Sequence, residues 1–132
     1  MKKIFVTVSI ILTTIYLFAQ TNNKQKGKAL YEQYCLTCHQ ADGAGVPHLN
    51  PPLINTSFVK GDKEKLIHWV LTGSGDEKVE IEGKFYSNNM PAQNYLKDDE
   101  IAAILSYVRS SFGNKYSAVT PAEVKAVRAT LK

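Results

Sequence analysis

The chain contains two cysteines, three positions apart, with a histidine directly after the second: Cys35-Leu36-Thr37-Cys38-His39. This spacing narrows the available chemistry sharply. A zinc site needs about four ligands, and no third cysteine exists to help complete one. A thioredoxin-like dithiol follows a strand and opens a helix, whose dipole lowers the thiol pKa; here a helical pattern precedes the pair. A plain disulfide between Cys35 and Cys38 leaves His39 without a role. C-x-x-C-H is, by contrast, the attachment signature of a c-type haem. Two thiols at this separation reach the two vinyl-derived carbons of one porphyrin, and the next residue lies beneath the iron with an imidazole nitrogen to donate. Cys35 and Cys38 are therefore the candidate covalent anchors of one haem c, and His39 the candidate ligand of its iron.

Iron held by one histidine has a sixth position. A methionine thioether there raises the potential of electron-carrying haems. The chain has two methionines, Met1 and Met90, and only Met90 lies beyond the N-terminal segment discussed below. It stands in Asn88-Asn89-Met90-Pro91, and a residue before proline is driven to extended geometry. Met90 is thus expected on a loop, free to project across a crevice. In isolation such a residue reads as a flexible core filler; the ligand reading comes from the C-x-x-C-H motif in the same chain. His48 and His68 are the alternatives, because imidazole also binds iron. His48 would have to pass round the porphyrin rim from nearby His39, and His68 falls on a helical pattern where a surface or packed role is ordinary.

Lys2 and Lys3 precede an apolar run over residues 4–18, the pattern of a secretory signal peptide. The run is shorter than the about 20 residues of a membrane span. A cut is expected after Ala19 or Gln20, although Leu17 is not the small residue preferred ahead of an Ala19 cut. An uncleaved N-terminal anchor is the alternative. Losing residues 1–20 removes two lysines and no acid, taking the formal charge of +4 to +2. That is too little for the concentrated basic face of a nucleic-acid binder. The expected location is exported, in the periplasm, where an oxidising environment leaves a C-x-x-C pair bridged or otherwise occupied.

With 132 residues the chain has room for one sizeable core. A helix running to about Cys35, with Asn22 and Gln25 as a capping pair, carries Gly27, Leu30, Tyr31 and Tyr34 on one side. A second, over residues 63–72, is capped by Asp62, stopped by Gly73, and expected to bury Leu66, Trp69 and Val70. Ile101, Ile104, Leu105, Val108 and Phe112 form one apolar stripe behind the acidic Asp98-Asp99-Glu100 turn. Thr120-Pro121-Ala122-Glu123 is a capping box opening a last short helix whose buried side is Val124, Val127 and Leu131. Alternation around Glu82-Gly83 allows a small β-hairpin over residues 79–86. Residues 40–60, with Gly43, Gly45 and Pro51-Pro52, read as a long loop; such a loop in a small domain usually wraps something.

Taken together, these residues resemble the class I c-type cytochromes, in particular the small bacterial mono-haem domain. The likeness runs over about residues 27–114. It is carried by Gly27-Lys28-Ala29-Leu30-Tyr31 ahead of the C-x-x-C-H motif, by Gly43-Ala44-Gly45-Val46-Pro47 and Asn50-Pro51-Pro52-Leu53, by Asn89-Met90-Pro91, and by residues 100–109. The resemblance implies an all-α, cytochrome c-like fold of three to five helices wrapped around one covalent haem, with a small β-hairpin allowed. It implies proximal His39, distal Met90, and first and last helices crossing at Gly27. It also implies a proline carbonyl in residues 47–52 accepting the proton of the other His39 nitrogen, which fixes the ring and raises its basicity. Two departures stand out. Lys97 occupies the place of a common capping serine, leaving Asp98 as the expected cap. The chain also continues through a helix over residues 120–132 that the pattern does not assign.

The expected organisation is a signal peptide at 1–20, a mono-haem cytochrome c domain at 21–114 and a C-terminal extension with a short helix at 115–132. With both axial positions filled, chemistry at the iron is blocked and outer-sphere electron transfer remains. The expected protein is an electron carrier rather than an enzyme, meeting a donor and an acceptor redox protein transiently, and a membrane only through a partner complex or an uncleaved signal. Tyr31, Leu53, Trp69, Tyr95 and the Ile101 helix are expected around the porphyrin. The alternatives are a haem subunit of a dehydrogenase or reductase complex and, should Met90 not be a ligand, a five-coordinate peroxidase-like enzyme. Lys24, Lys26 and Lys28, Lys60, Lys63 and Lys65, and the acidic Asp76, Glu77, Glu80 and Glu82 would steer partners by patches rather than by net charge.

Overall fold

The computed structural model describes residues 23–75 and 79–131. The expected signal peptide, the Asn22 cap and the acidic residues Asp76 and Glu77 lie outside the described residues. Helix α1 covers residues 23–34. It is followed by α2 (Leu36–His39), α3 (Ser57–Lys60), α4 (Lys63–Thr72), the strands β1 (Val79–Ile81) and β2 (Lys84–Tyr86), α5 (Asp98–Ser110) and α6 (Pro121–Thr130). Two of these helices are single four-residue turns, so the framework is four longer helices and one antiparallel hairpin. The hairpin has Val79 opposite Tyr86 and Ile81 opposite Lys84. Its turn residues, Glu82 and Gly83, both take positive φ (53° and 73°), the twist-matched two-residue turn that closes right-handed strand pairs.

Helix α5 runs through the centre. Ile101, Ala102, Ala103, Ile104, Leu105 and Val108 are all buried. The stripe continues to Phe112, but the helix does not: Phe112 has φ 57° and turns its ring onto Tyr31 and Tyr107, with centroids 5.4 and 5.7 Å away. Gly27 is where α1 meets α5. A Cβ there would run into the Ala103 carbonyl oxygen and lie 2.8 Å from Tyr107 Cβ, so only glycine lets the two backbones come this close.

Three details differ from the sequence expectation. On α4 the fully buried residues are Ile67 and Leu71 beside Leu66, whereas Trp69 and Val70 are half-buried. The physical reason is α6, which packs against α4 as well as α5 and covers a second face. Asp98 does not cap α5. Lys97 occupies the N-cap, its backbone N–H bonded to Glu100 Oε2 at 2.8 Å, while Asp98 pairs with Arg128 at 2.7 Å. The 40–60 loop is not structureless: Thr56 caps the turn α3 through the Val59 N–H, and Val46 and Asn50 form an isolated bridge.

Two buried polar side chains knit the segment after α5 to the rest. Arg109, 3% exposed, donates from Nε to the Ser117 carbonyl at 2.8 Å and from Nη1 to the Val59 carbonyl, under the ring of Tyr116. Asn114 donates to the carbonyls of Leu53 (2.9 Å) and Val108 (2.8 Å), and its Oδ1 accepts from the Asn55 N–H at 2.8 Å. Helix α6 opens with the expected Thr120–Glu123 capping box, and Glu123 also pairs with Lys63 on α4 at 2.9 Å.

Replacing Gly27 by alanine should force α1 off α5 and cost roughly 1–3 kcal/mol, read as a lower denaturant midpoint at unchanged slope. Bonds to Lys63 and to the Thr120 N–H hold the Glu123 carboxyl below its ordinary pKa. Its stabilising contribution is therefore complete above the unfolded value of about 4.3 and lost as pH falls through the lower folded value. Glu123→Gln should flatten the decline of stability on acidification through that window, measured by denaturation at a series of pH values.

Candidate haem-binding site

Helix α1 ends as the Cys35 N–H bonds the Tyr31 carbonyl (2.8 Å), and α2 follows as one turn closed by His39 N–H to the Cys35 carbonyl (2.9 Å). Gln40 then takes φ 63° and leaves the helix. Cys35 and Cys38 are both free thiols, the first half-buried and the second exposed. Burial pushes the Cys35 thiol up to about 11, with the neighbouring Cys38 adding to the effect. A thiol raised in this way is protonated at neutral pH, the opposite of the depressed pKa of a catalytic dithiol.

His39 Nδ1 lies 2.9 Å from the Pro51 carbonyl oxygen. A carbonyl only accepts, so the proton sits on Nδ1 and the lone pair on Nε2. Burial holds the ring's pKa below the ordinary imidazole value, against the opposing pull of the Pro51 bond, which keeps it neutral and able to bind a metal. Pro51 is thus the residue, within the expected 47–52 segment, whose carbonyl meets His39. Its position is set by a tight loop: Gly45 N–H bonds the His39 carbonyl (3.1 Å), Val46 N–H the Asn50 carbonyl (2.9 Å), and Leu53 N–H the Gly43 carbonyl (2.7 Å). Gly45 has φ +67°, and a Cβ on it would strike the Asn50 carbonyl and lie 2.6 Å from that of Pro51.

Met90 is on an irregular segment, half-buried, with its backbone held on both sides by Ser74. The Met90 N–H donates to Ser74 Oγ at 2.8 Å, and the Ser74 N–H donates to the Met90 carbonyl at 3.0 Å. Three further backbone bonds join this segment to its surroundings. Gln93 N–H bonds the Val70 carbonyl at 2.9 Å, and Ser87 and Asn88 N–H bond the carbonyls of His48 and Leu49, each at 3.0 Å. Asn88 Nδ2 adds a bond to Asn50 Oδ1 at 3.1 Å. The methionine segment and the proline loop are therefore fastened to each other as well as to the helices.

Cys35, Cys38, His39 and Met90 all line one crevice that opens to solvent. Its remaining walls are mostly apolar, among them Leu53, Val59, Leu66, Trp69, Val70, Ile104, Leu105 and Val108. Two thiols, a neutral imidazole with a free lone pair and a thioether on the walls of an apolar cleft are the donor set of a covalently held haem, and the residues present fit that group. Tyr31, Leu53 and Trp69 line the crevice as expected. Tyr95 does not; it is 64% exposed and stacks edge-on against Tyr34. Ile101, on the same stripe of α5, is fully buried in the core, and Ile104, Leu105 and Val108 line the crevice. His48 is exposed, and so is His68, whose ring lies beside Thr72; neither lines the crevice. Sequence reading did not single out Ser74, Gln93 or Asn88, whose roles depend on partners distant in the chain and leave no local pattern.

The chain is similar in sequence to known proteins. Cytochrome c-552 of Thermus thermophilus is 34% identical over 112 residues, covering 78% of this chain and 84% of the relative. The fructose dehydrogenase cytochrome subunit of Gluconobacter japonicus is 37% identical over 107 residues, covering 78% of this chain but 22% of that protein. The gluconate 2-dehydrogenase cytochrome c subunit of Pantoea cypripedii is 32% identical over 111 residues, covering 81% and 25%. The sequence model of the cytochrome c family matches residues 24–112, from the first turn of α1 to the aromatic ring that closes α5. The chain belongs to the cytochrome c family, whose members carry covalently attached haem c.

Proposed function

We propose that this protein carries single electrons between redox partners by outer-sphere transfer, with Cys35 and Cys38 as the residues that would anchor haem through thioether bonds and His39 and Met90 as those that would bind its iron. The observation that supports this reading most directly is that His39 and Met90 line the same apolar crevice. When bound, haem supplies a reversible one-electron ferric/ferrous couple. The protein's part is to hold that couple without substrate chemistry. Pro51 sets the His39 tautomer and strengthens its donor nitrogen. Ser74 anchors the Met90 backbone, and a soft thioether favours the ferrous state. The apolar walls keep water and its dielectric away from the centre, which also favours the less charged state. Were His39 and Met90 both to bind the iron, peroxide or gas would find no free position, which supports a carrier rather than an enzyme.

The cytochrome subunits of dehydrogenases among the relatives favour one second reading, in which the domain is the electron-accepting module of such a complex. In either case its partners are redox proteins. Residues 1–20 are proposed as the export signal, residues 21–114 as the haem domain and residues 115–132 as an extension, with the mature protein in the periplasm. Among the described residues no helix is long and apolar enough to cross a membrane.

The mass of the exported protein should equal the chain without residues 1–20 plus one haem, and replacing Cys35 and Cys38 by alanine should abolish the covalent addition. Met90→Ala should remove the far-red sulfur-to-iron charge-transfer band of the oxidised protein. It should also lower the midpoint potential by on the order of 0.1 V, within the roughly 0.8 V range that axial ligands command. Persistence of the band in that variant overturns the carrier reading. Co-elution with a dehydrogenase in native extracts would select the subunit reading over the free shuttle.

A further inference from the structure

The extension beyond α5 carries an arginine that reaches back to the methionine side of the crevice. Arg128 on α6 spreads its guanidinium over three acceptors: Nε donates to Asp98 Oδ1, Nη1 to the Asn94 carbonyl and Nη2 to the Leu96 carbonyl, each at 2.7 Å. Asn94 and Leu96 belong to the strap that leads from Met90 to α5, and Asp98 is the first residue of α5, where that strap ends. The near end of that strap is held by Ser74 and its middle by the Gln93–Val70 bond. Beyond Gln93, whose carbonyl accepts from the Leu96 N–H at 3.1 Å, the carbonyls of Asn94 and Leu96 are taken by Arg128. Leu96, 5% exposed, lines the crevice from within this stretch.

Helix α6 does not need Arg128 in order to dock. Val124 and Val127 are buried in the main core, the Thr120–Glu123 box closes its first turn, and Lys63–Glu123 ties it to α4. The bonds of Arg128 are instead spent on the strap and on the residue of α5 that ends it. A planar fork with fixed donors suits two carbonyls and a carboxylate, whereas a lysine ammonium is a single point charge.

We infer that Arg128 is a positioning residue for the distal side of the haem crevice: its guanidinium clamps the 94–98 strap and thereby keeps Met90 seated. The inference rests on Met90 as the distal ligand. Removing the clamp takes charge-assisted hydrogen bonds from the closed strap and raises the population with the sulfur released by about tenfold.

The test uses the matured, haem-loaded protein and four variants: Arg128→Ala, Arg128→Lys, Lys63→Ala and Met90→Ala. Two quantities are read: the rate of carbon monoxide binding to the reduced protein, and the temperature at which the far-red band is lost relative to the loss of helical circular dichroism. Arg128→Ala should bind carbon monoxide about tenfold faster and lose the band well below helix melting, and Arg128→Lys should behave like it. Lys63→Ala, which loosens α6 without touching the strap, should lower the melting temperature alone. Wild-type carbon monoxide kinetics in Arg128→Ala, or equal acceleration in Arg128→Ala and Lys63→Ala, overturns the inference while leaving the carrier reading intact if Met90→Ala opens the site. A Met90→Ala protein that keeps the band and the wild-type rate removes both.

Discussion

A histidine in an apolar wall serves a metal from the nitrogen that carries no proton, and here the Pro51 carbonyl fixes the proton on the other one. Much of the surrounding chain exists to hold that oxygen in place. The glycines at 43 and 45 adopt left-handed backbone, the Val46–Asn50 bridge tightens the loop, and Leu53 returns to the Gly43 carbonyl. Asn114, far along the sequence, secures the outgoing end of the loop by binding the carbonyl of Leu53 and the N–H of Asn55. A backbone carbonyl cannot be changed by altering a side chain, so its direction is controlled wholly by the path of the loop.

The methionine side of the crevice is held by a different principle. Met90 lies in irregular structure, with no helix or strand to fix it, and its backbone groups are satisfied by Ser74 at the end of α4. Bonds from Ser87 and Asn88 to residues 48 and 49 then make the two walls one unit. Small relative movement of the walls is what a carrier requires, because unchanged coordination in both oxidation states keeps reorganisation low. The extension that the family pattern leaves unassigned joins this arrangement through α6, which covers α4 and α5 together.

The legible parts of the molecule were those written in local pattern. The capping box at Thr120, the Asp62 cap, the Glu82-Gly83 turn and the stripe on α5 all depend on neighbours within a few residues, and each took the form its spacing indicates. The departures have tertiary causes. Asp98 is drawn from capping duty by Arg128, thirty positions away; Ile67 and Leu71 are buried because α6 lies over them. Tyr95 illustrates the same limit: an aromatic residue close to the methionine in sequence, it sits outside the crevice with its hydroxyl bonded to Gln93 Oε1 at 2.6 Å.

By itself, the amino-acid sequence determined which donor atoms are available, two thiols, an imidazole and a single thioether beyond residue 20, because covalent spacing and residue chemistry do not depend on the fold. It determined the four longer helices as well, through periodicity and caps whose bonds close over three or four residues. Only the tertiary structure decided which proline carbonyl meets His39, which hydroxyl holds Met90 and which arginine reaches the strap behind it. Those choices depend on contacts between segments tens of residues apart, where the direction of one hydrogen bond is set by the packing of whole helices.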